Sequence, residues 1–297
     1  MSEKKNVTAS VLARLRNVAK SANVVYLEIL NRYAIERILK RIELSEYASK
    51  CILKGGTLFI LWSDDFSYRP TMDADLEFRG DGSPETLLKM FREITAIDLS
   101  NEDGLAIDQA SIKAENIRED DEYGGVRVRM LAYIGTVRIP IQFDVGVGDA
   151  ITPVARKANF PVLLDGSIPR LRVYPRETVI AEKFETIVKR GLANSRMKDY
   201  YDLLMLCRDS VVNSDVVRAA IVRTFNRRKT PIPTECPFGL SDEFAKNAMK
   251  ITQWTAFLRK NRLNALNVEL SEVVSDIRAY FIPIISAWSI EQGMIER

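Results

Sequence analysis

The sequence predicts a mixed α/β (α+β) protein: a helical N-terminal extension, a core built on a mixed or antiparallel sheet, and a helical C-terminal domain. Three observations predict it. Apolar residues follow helical spacing before about residue 50, alternate with polar ones in several segments between residues 69 and 147, and return to helical spacing beyond Pro175. The change of period divides the 297 residues into 1–170, a core with N-terminal helices, and 171–297, a helical domain.

Two helices come first, SVLARLRNVAKSA and NVVYLEILNRYAIERILKRI, the second with apolar positions at Val25, Ile29, Tyr33, Ile35 and Ile38. The short apolar run CILKGG reads as a strand ending in a glycine turn, and Thr57 to Trp62 as a short helix after it. From Arg69, RPTMDADLEF alternates Met72, Ala74, Leu76 and Phe78 with Thr71, Asp73, Asp75 and Glu77. SPETLLKMFREIT carries a Ser-Pro helix start. Three strands follow, ASIKAENI, VRVRMLAYI and TVRIPIQFDVGV, separated by the acidic loop REDDEYGG and the turn YIGT. In the last of them Asp144 shares the polar face with Arg138 and Gln142. Helical patterning then runs to the end, interrupted by TPIPTECPFG.

Composition excludes several chemistries. The chain has no histidine, so a Ser-His-Asp triad, a Cys-His pair, a zinc helix and a histidine general base are all impossible. Cys51, Cys207 and Cys236 form no C-x-x-C pair and read as buried thiols. No run approaches the ~18 apolar residues of a membrane span, and the start lacks an apolar signal core, so the expectation is a cytoplasmic protein without a membrane role. Net charge is +3, yet residues 218–262 hold ten Lys and Arg against Glu235, Asp242 and Glu243. That sector suggests a polyanionic partner, with Phe225 and Trp254 as base-stacking groups or core residues, against the alternative of a solvated helix face.

The acids raise the central question. Carboxylates at i and i+2 on a strand point the same way roughly 6–7 Å apart, a spacing that suits Mg²⁺ or a pair of ions. Asp73 and Asp75 are therefore candidate metal ligands, with Asp144 from a neighbouring strand as a third. Glu77 is expected to meet Arg127, Arg129 or water. Gly55 and Gly56, followed by Thr57, offer backbone N–H groups and a hydroxyl to phosphate, although a tight strand-to-helix turn needs the same glycines. In VIAEKFETIVKRGLANSRMKDYYDLL, Lys183 and Arg190 flank the apolar face of Ile180, Phe184 and Ile187, while Asp199 and Asp202 share a face with Leu203 and Leu206. Acids in an apolar stripe need partners, from Lys183, Arg190 or Arg196 or from a ligand.

The motifs KGGTLFI, RPTMDADL, IQFDVGVGD and EKFETIVKRG…NSRMKDYYDL, over residues 50 to 206, resemble the AbiEii-type (AbiEii/AbiGii, MenT-like) toxins, within the DNA polymerase β-like nucleotidyltransferase superfamily. The resemblance implies that Gly56 and Thr57 sit at a triphosphate, that Asp73 and Asp75 bind Mg²⁺, that Lys183 contacts nucleotide phosphates and that Asp199 is a required acid. The nucleotide-contact set is then Gly55, Gly56, Thr57, Lys183 and Arg190. The implied activity is Mg²⁺-dependent transfer of a nucleotide from an NTP to an RNA 3′ end, such as the tRNA acceptor, by the toxin of a toxin–antitoxin pair with a cognate antitoxin. The pattern departs from the superfamily in having Gly-Gly-Thr where Gly-Ser is usual and a longer interval from Gly56 to Asp73. The alternatives are a non-catalytic nucleic-acid-binding module and a metal-dependent nuclease on the same carboxylates.

Overall fold

The computed structural model describes residues 7–63, 68–117, 124–208, 212–263 and 267–295. They form two compact units, Met1–Asp149 with Ala155–Tyr174, and Ala150–Val154 with Pro175–Arg297. The acidic loop at 118–123 and residues 64–67 of the interval before Asp73 lie outside the described residues.

The first unit opens with helices α1 (Val7–Ser21) and α2 (Tyr26–Leu44). Val25, read as an apolar helix position, is instead the exposed residue that precedes α2, and Leu30, Ala34 and Leu39 join Ile29, Ile35 and Ile38 in the core. Strand β1 (Cys51–Lys54) runs into a 3-10 turn at Gly55–Leu58 and a one-turn helix α3 (Phe59–Trp62). Strand β2 (Ala74–Phe78) is shorter than its alternating pattern: Asp73 precedes it and Met72 is exposed rather than buried. Helix α4 (Pro84–Thr95) starts as its sequence signals, with Pro84 in the first turn and the Ser83 hydroxyl accepting from the Thr86 N–H. A short helix α5 (Ser100–Asp103) leads to the long strands β3 (Leu105–Asn116), β4 (Val126–Ile134) and β5 (Val137–Val147). The β3 strand begins five residues before the segment expected, with an irregularity between Asp108 and Lys113.

Two strands were not legible as such, β6 (Arg156–Asn159) and β7 (Arg170–Val173). Four residues, RKAN and RLRV, give too short a pattern to register as a strand. They complete a seven-stranded mixed sheet ordered β3-β4-β5-β2-β1-β7-β6. The β5–β2 and β1–β7 pairs are parallel and the others antiparallel. One sheet face is apolar, with Ala74, Leu76, Phe78, Val128, Met130, Ile139, Ile141, Phe143 and Val145 buried, and α2 and α4 pack against this sheet. Phe91 of α4 meets Phe143 at 5.2 Å between ring centroids.

The second unit comprises α6 (Arg176–Arg190), α7 (Met197–Cys207), α8 (Ser214–Arg227), α9 (Asp242–Lys246), α10 (Ala248–Lys260) and α11 (Leu270–Ile295). Single 3-10 turns lie at Gly191–Ala193 and Phe238–Leu240. Its core stacks Phe184 on Phe281 at 4.0 Å, with Phe225 beside Phe184 and Tyr200 against Phe244. Phe225 and Trp254 are both buried, and the Trp254 indole N–H donates to the Val268 carbonyl, so neither ring is presented to bases. Part of the basic sector is likewise spent inside the unit. Arg228 pairs with Glu182 and Glu185, and buried Lys250 donates to the Asn194 carbonyl. Of the cysteines only Cys51 is buried; Cys236 is exposed.

Candidate active site

The open face of the sheet carries a row of charged residues in cross-strand register. Glu115 lies opposite Arg127, Arg127 opposite Asp144, Asp144 opposite Asp75, and Asp75 opposite Lys54. Alternate signs meet at most of these steps, and the exception is Asp144 beside Asp75. Two carboxylates on neighbouring strands repel unless a cation lies with them.

For Asp144 that cation is an arginine. Arg127 grips it with two parallel bonds, Nε to Oδ1 at 2.8 Å and Nη2 to Oδ2 at 2.7 Å, and Gln142 Nε2 adds a third at 3.2 Å. The expected position of Asp144 next to Asp75 is therefore observed, and both its oxygens are engaged by the Arg127 guanidinium, with which a metal ion would compete. Among the described residues no three or more acids, cysteines or histidines come together as a metal cluster.

Glu77 is also corrected. It is fully buried, and its Oε2 accepts from Lys54 Nζ at 3.1 Å while its Oε1 accepts from the Asp149 N–H at 2.8 Å. Lys54 Nζ reaches on to Asp149 Oδ2 at 2.8 Å, and Arg79 approaches Glu77 at 3.6 Å. The partner comes from β1, the antiparallel neighbour of β2, because Arg127 is held on the far side of β5.

The remaining acids of the motif, Asp73 and Asp75, frame the glycine turn. Gly55 has a φ of +70°, and a Cβ placed on it would lie 1.9 Å from Asp75 Oδ2. Only glycine permits both that backbone conformation and the close approach of the carboxylate. A Cβ on Gly56 would meet Thr71 Oγ1 at 2.8 Å and Arg69 Nη2 at 2.9 Å, and Arg69 Nη1 itself donates to Thr71 Oγ1. Arg69 thus brings a guanidinium to the turn. The sequence showed this arginine as the first residue of the R-x-T-x-D-x-D pattern without indicating its task. Thr57, expected to offer its hydroxyl to phosphate, is buried, and its Oγ1 donates to the Asp73 carbonyl at 3.2 Å. Its side chain ties the glycine turn to the residue before β2. The Asp73 carboxylate, in contrast, has no hydrogen-bond or ion-pair partner among the described residues.

This donor set fits a divalent cation. Two carboxylates of hard oxygen character lie beside a glycine turn, and Mg²⁺ is ordinarily held by one or two carboxylates together with substrate phosphate oxygens. Bound there, the ion would supply charge neutralisation to a phosphoryl group.

In the helical unit, Lys183 of α6 lies 2.7 Å from both Asp199 Oδ1 and Asp202 Oδ2 of α7, and Arg196 Nε lies 2.6 Å from Asp199 Oδ2. Both aspartates are fully buried. Burial pushes the Asp199 carboxyl up, but Lys183 and Arg196 outweigh it and hold it well below the usual carboxylate range. The expected pairing of these acids with Lys183 and Arg196 is thus observed, and the cations come from the chain itself. Arg190 ends α6 in the half-exposed last turn, before Gly191.

The family model described as nucleotidyl transferase AbiEii toxin, type IV toxin–antitoxin system, matches residues 37–280. A search of curated proteins finds no match. Among solved structures the chain is similar to JHP933 from Helicobacter pylori, with a TM-score of 0.48 and 14% identity over 90% of this chain and 97% of that one. It is similar to a candidate nucleotidyltransferase from H. pylori, with a TM-score of 0.48 and 15% identity over 87% of this chain and 95% of that one.

Proposed function

The chain belongs to the AbiEii family of nucleotidyl transferase toxins of type IV toxin–antitoxin systems, and from that premise we propose that it transfers a nucleoside monophosphate from an NTP to an RNA 3′ end, the tRNA acceptor stem above all. The observation that carries the reading is the pairing of Asp73, whose carboxylate no described residue partners, with Asp75, which packs on the bare backbone of Gly55. A carboxylate beside a glycine turn that receives no bond from any described residue, as at Asp73, suits a substrate that brings its own metal and phosphates.

In the proposed division of labour, Asp73 and Asp75 hold Mg²⁺, Gly55 and Gly56 give backbone N–H groups to the triphosphate, and Arg69 adds positive charge at the turn. Thr57 positions Asp73 through its carbonyl rather than touching phosphate. Within the helical unit, Lys183, Asp199 and Arg190 are proposed as required residues, with Asp199 acting through Lys183. The attacking RNA 3′-OH would form a bond to the α-phosphorus while the bond to the bridging oxygen breaks and pyrophosphate leaves. A cytoplasmic location and a cognate antitoxin belong to the same proposal. Among the described residues no helix is long and apolar enough to cross a membrane.

The test is incubation of the protein with end-labelled tRNA in Mg²⁺, with and without each NTP. Product one or more nucleotides longer, formed only with an NTP, is the expected result. Shortened RNA that forms without NTP would convert the assignment to a nuclease.

A further inference from the structure

Asp73 stands at the edge of a groove that the nucleotidyl-transfer motifs do not account for. Pairing between β2 and β5 begins only at Ala74 and Phe143, so residues 138–142 of β5 run past the start of β2. The space left open is a cavity of about 740 Å³ whose lining includes Met72, Asp73, Leu131, Pro140 and Gln142. Lys113, Arg129 and Arg138 line it as well. Asp73 is the one carboxylate among the lining residues, against these three cations.

The cations are available to a ligand. Lys113 and Arg138 are exposed, and neither has an ion-pair or hydrogen-bond partner among the described residues. Arg129 is bonded to Glu115 at 3.2 Å, with the two side chains 52% and 60% exposed. A solvent-exposed pair of that kind is worth little and exchanges readily for a phosphate. Lys113 lies directly opposite Arg129 across the β3–β4 ladder, so two positive charges repel at neighbouring positions unless an anion joins them.

The same cavity has an apolar and a hydrogen-bonding component. Met72, Met130, Leu131, Pro140 and Ile141 supply apolar walls. Asn31 of α2, 2% exposed, also lines it; its Nδ2 donates to the Pro140 carbonyl at 3.1 Å, which leaves Oδ1 with no partner among the described residues. A lone acceptor at this place suits a hydroxyl or amino donor on the ligand. Cations, apolar walls and one acceptor together describe a nucleotide unit in a strand, with its phosphates, its base and its sugar or amino groups.

We propose that this groove binds the single-stranded 3′ segment of the acceptor nucleic acid and directs its terminal hydroxyl toward Asp73. The inference rests on the nucleotidyl-transfer reading for the word acceptor. The binding itself does not depend on transfer. With the glycine turn and Arg69 serving the triphosphate, Asp73 at the groove margin would lie where the attacking hydroxyl and the α-phosphate meet, pyrophosphate leaving on the opposite side. The acceptor surface is thereby placed on the sheet face, in contrast to the expectation that the 218–262 sector provides it.

The experiment compares the full chain with Lys113→Glu/Arg138→Glu, using a short fluorescent single-stranded RNA with a free 3′-OH and, separately, a fluorescent NTP analogue with Mg²⁺. The expected result is RNA affinity lower by about tenfold or more, a salt dependence shallower by about 0.7 in log–log slope for each phosphate that the variant no longer neutralises, and NTP affinity unchanged. Both positions are exposed, and Lys113→Ala/Arg138→Ala provides a milder version that must show a smaller effect in the same direction. Unchanged RNA affinity and salt slope in both variants would overturn the proposal, as would a loss confined to the NTP, which would assign the groove to the incoming nucleotide. If the wild-type chain binds RNA through these residues yet never extends it, the transfer reading fails and the groove stands.

Discussion

Asp73 in the sheet unit and Asp199 in the helical unit are both motif acids, and their surroundings are opposite. Asp199 is fully buried between Lys183 and Arg196, which lie 2.7 and 2.6 Å from its oxygens. Asp73 lines an open groove and receives no bond to its carboxylate from any described residue. A buried carboxylate must be neutralised by its own chain, because no solvent or ligand reaches it to repay the desolvation cost. A carboxylate on a groove can be left incomplete, at the cost of some repulsion from Asp75, and on the proposed function a metal-bearing substrate would complete it. The chemistry of the two acids is the same, and burial decides which one its own chain must neutralise and which one it can leave without a partner.

The largest expected effect breaks the comparison on the sheet side. Asp73→Ala removes an acid without a partner in the protein, so it leaves the melting temperature within about a degree or raises it slightly. Nucleotide transfer to RNA should fall by at least about a thousandfold. Activity within about tenfold of wild type, measured with labelled NTP at matched protein concentration, would show that Asp73 holds no metal.

Next in size is the same operation on the helical side. Lys183→Met fills the space with an apolar side chain and removes the cation 2.7 Å from both Asp199 and Asp202 in the core. Breaking a buried pair by removing one partner costs about 3–5 kcal/mol, which shows directly in chemical denaturation. A stability loss below about 1 kcal/mol would mean that Lys183 is not the cation that neutralises these acids in solution. Transfer is expected to fail in this variant as well, so stability is the readout that separates the two units.

Much of this contrast could be read before the fold was seen, for reasons that differ by element. The strands β4 and β5 are long enough for two-residue alternation to be unmistakable, and the acids in the α7 stripe announced a need for cations that α6 supplied. The strands β6 and β7 escaped because segments of four residues, RKAN and RLRV, carry almost no periodic signal. Side-chain partners between non-adjacent segments were the least legible. Nothing in the local pattern says that Arg127 grips Asp144 instead of Glu77, or that Lys54 reaches Glu77 and Asp149. Those pairings follow from strand order, which is a property of the whole sheet. The bond from Thr57 to the Asp73 carbonyl was illegible for a related reason, since a hydroxyl after a glycine pair looks the same whether it faces a phosphate or a carbonyl.

The smallest effect sharpens the rule that the number of cations around a buried acid sets its state. Glu36 of α2 is as buried as Asp199, but it accepts from Arg32 Nε at 3.0 Å and from the Leu163 N–H at 3.0 Å, with no second cation at bonding distance among the described residues. Burial outweighs Arg32 here and pushes the Glu36 carboxyl from 4.5 up to about 7. The two acids therefore couple to pH with opposite signs. Asp199, held below its unfolded value, adds stability above the ordinary aspartate range and loses it only as the pH falls through its folded value. Glu36, raised above its unfolded value, contributes fully below pH 4.5 and loses that contribution as the pH climbs through about 7. A shift of this size corresponds to roughly 3 kcal/mol at most. Glu36→Gln cannot titrate, so the stability of wild type minus that of the variant should fall by about 2–3 kcal/mol between about pH 5 and about pH 8. Denaturation at the two pH values measures it. A difference that stays flat would mean that Arg32 alone keeps Glu36 ionised, and that one cation suffices where two are found around Asp199.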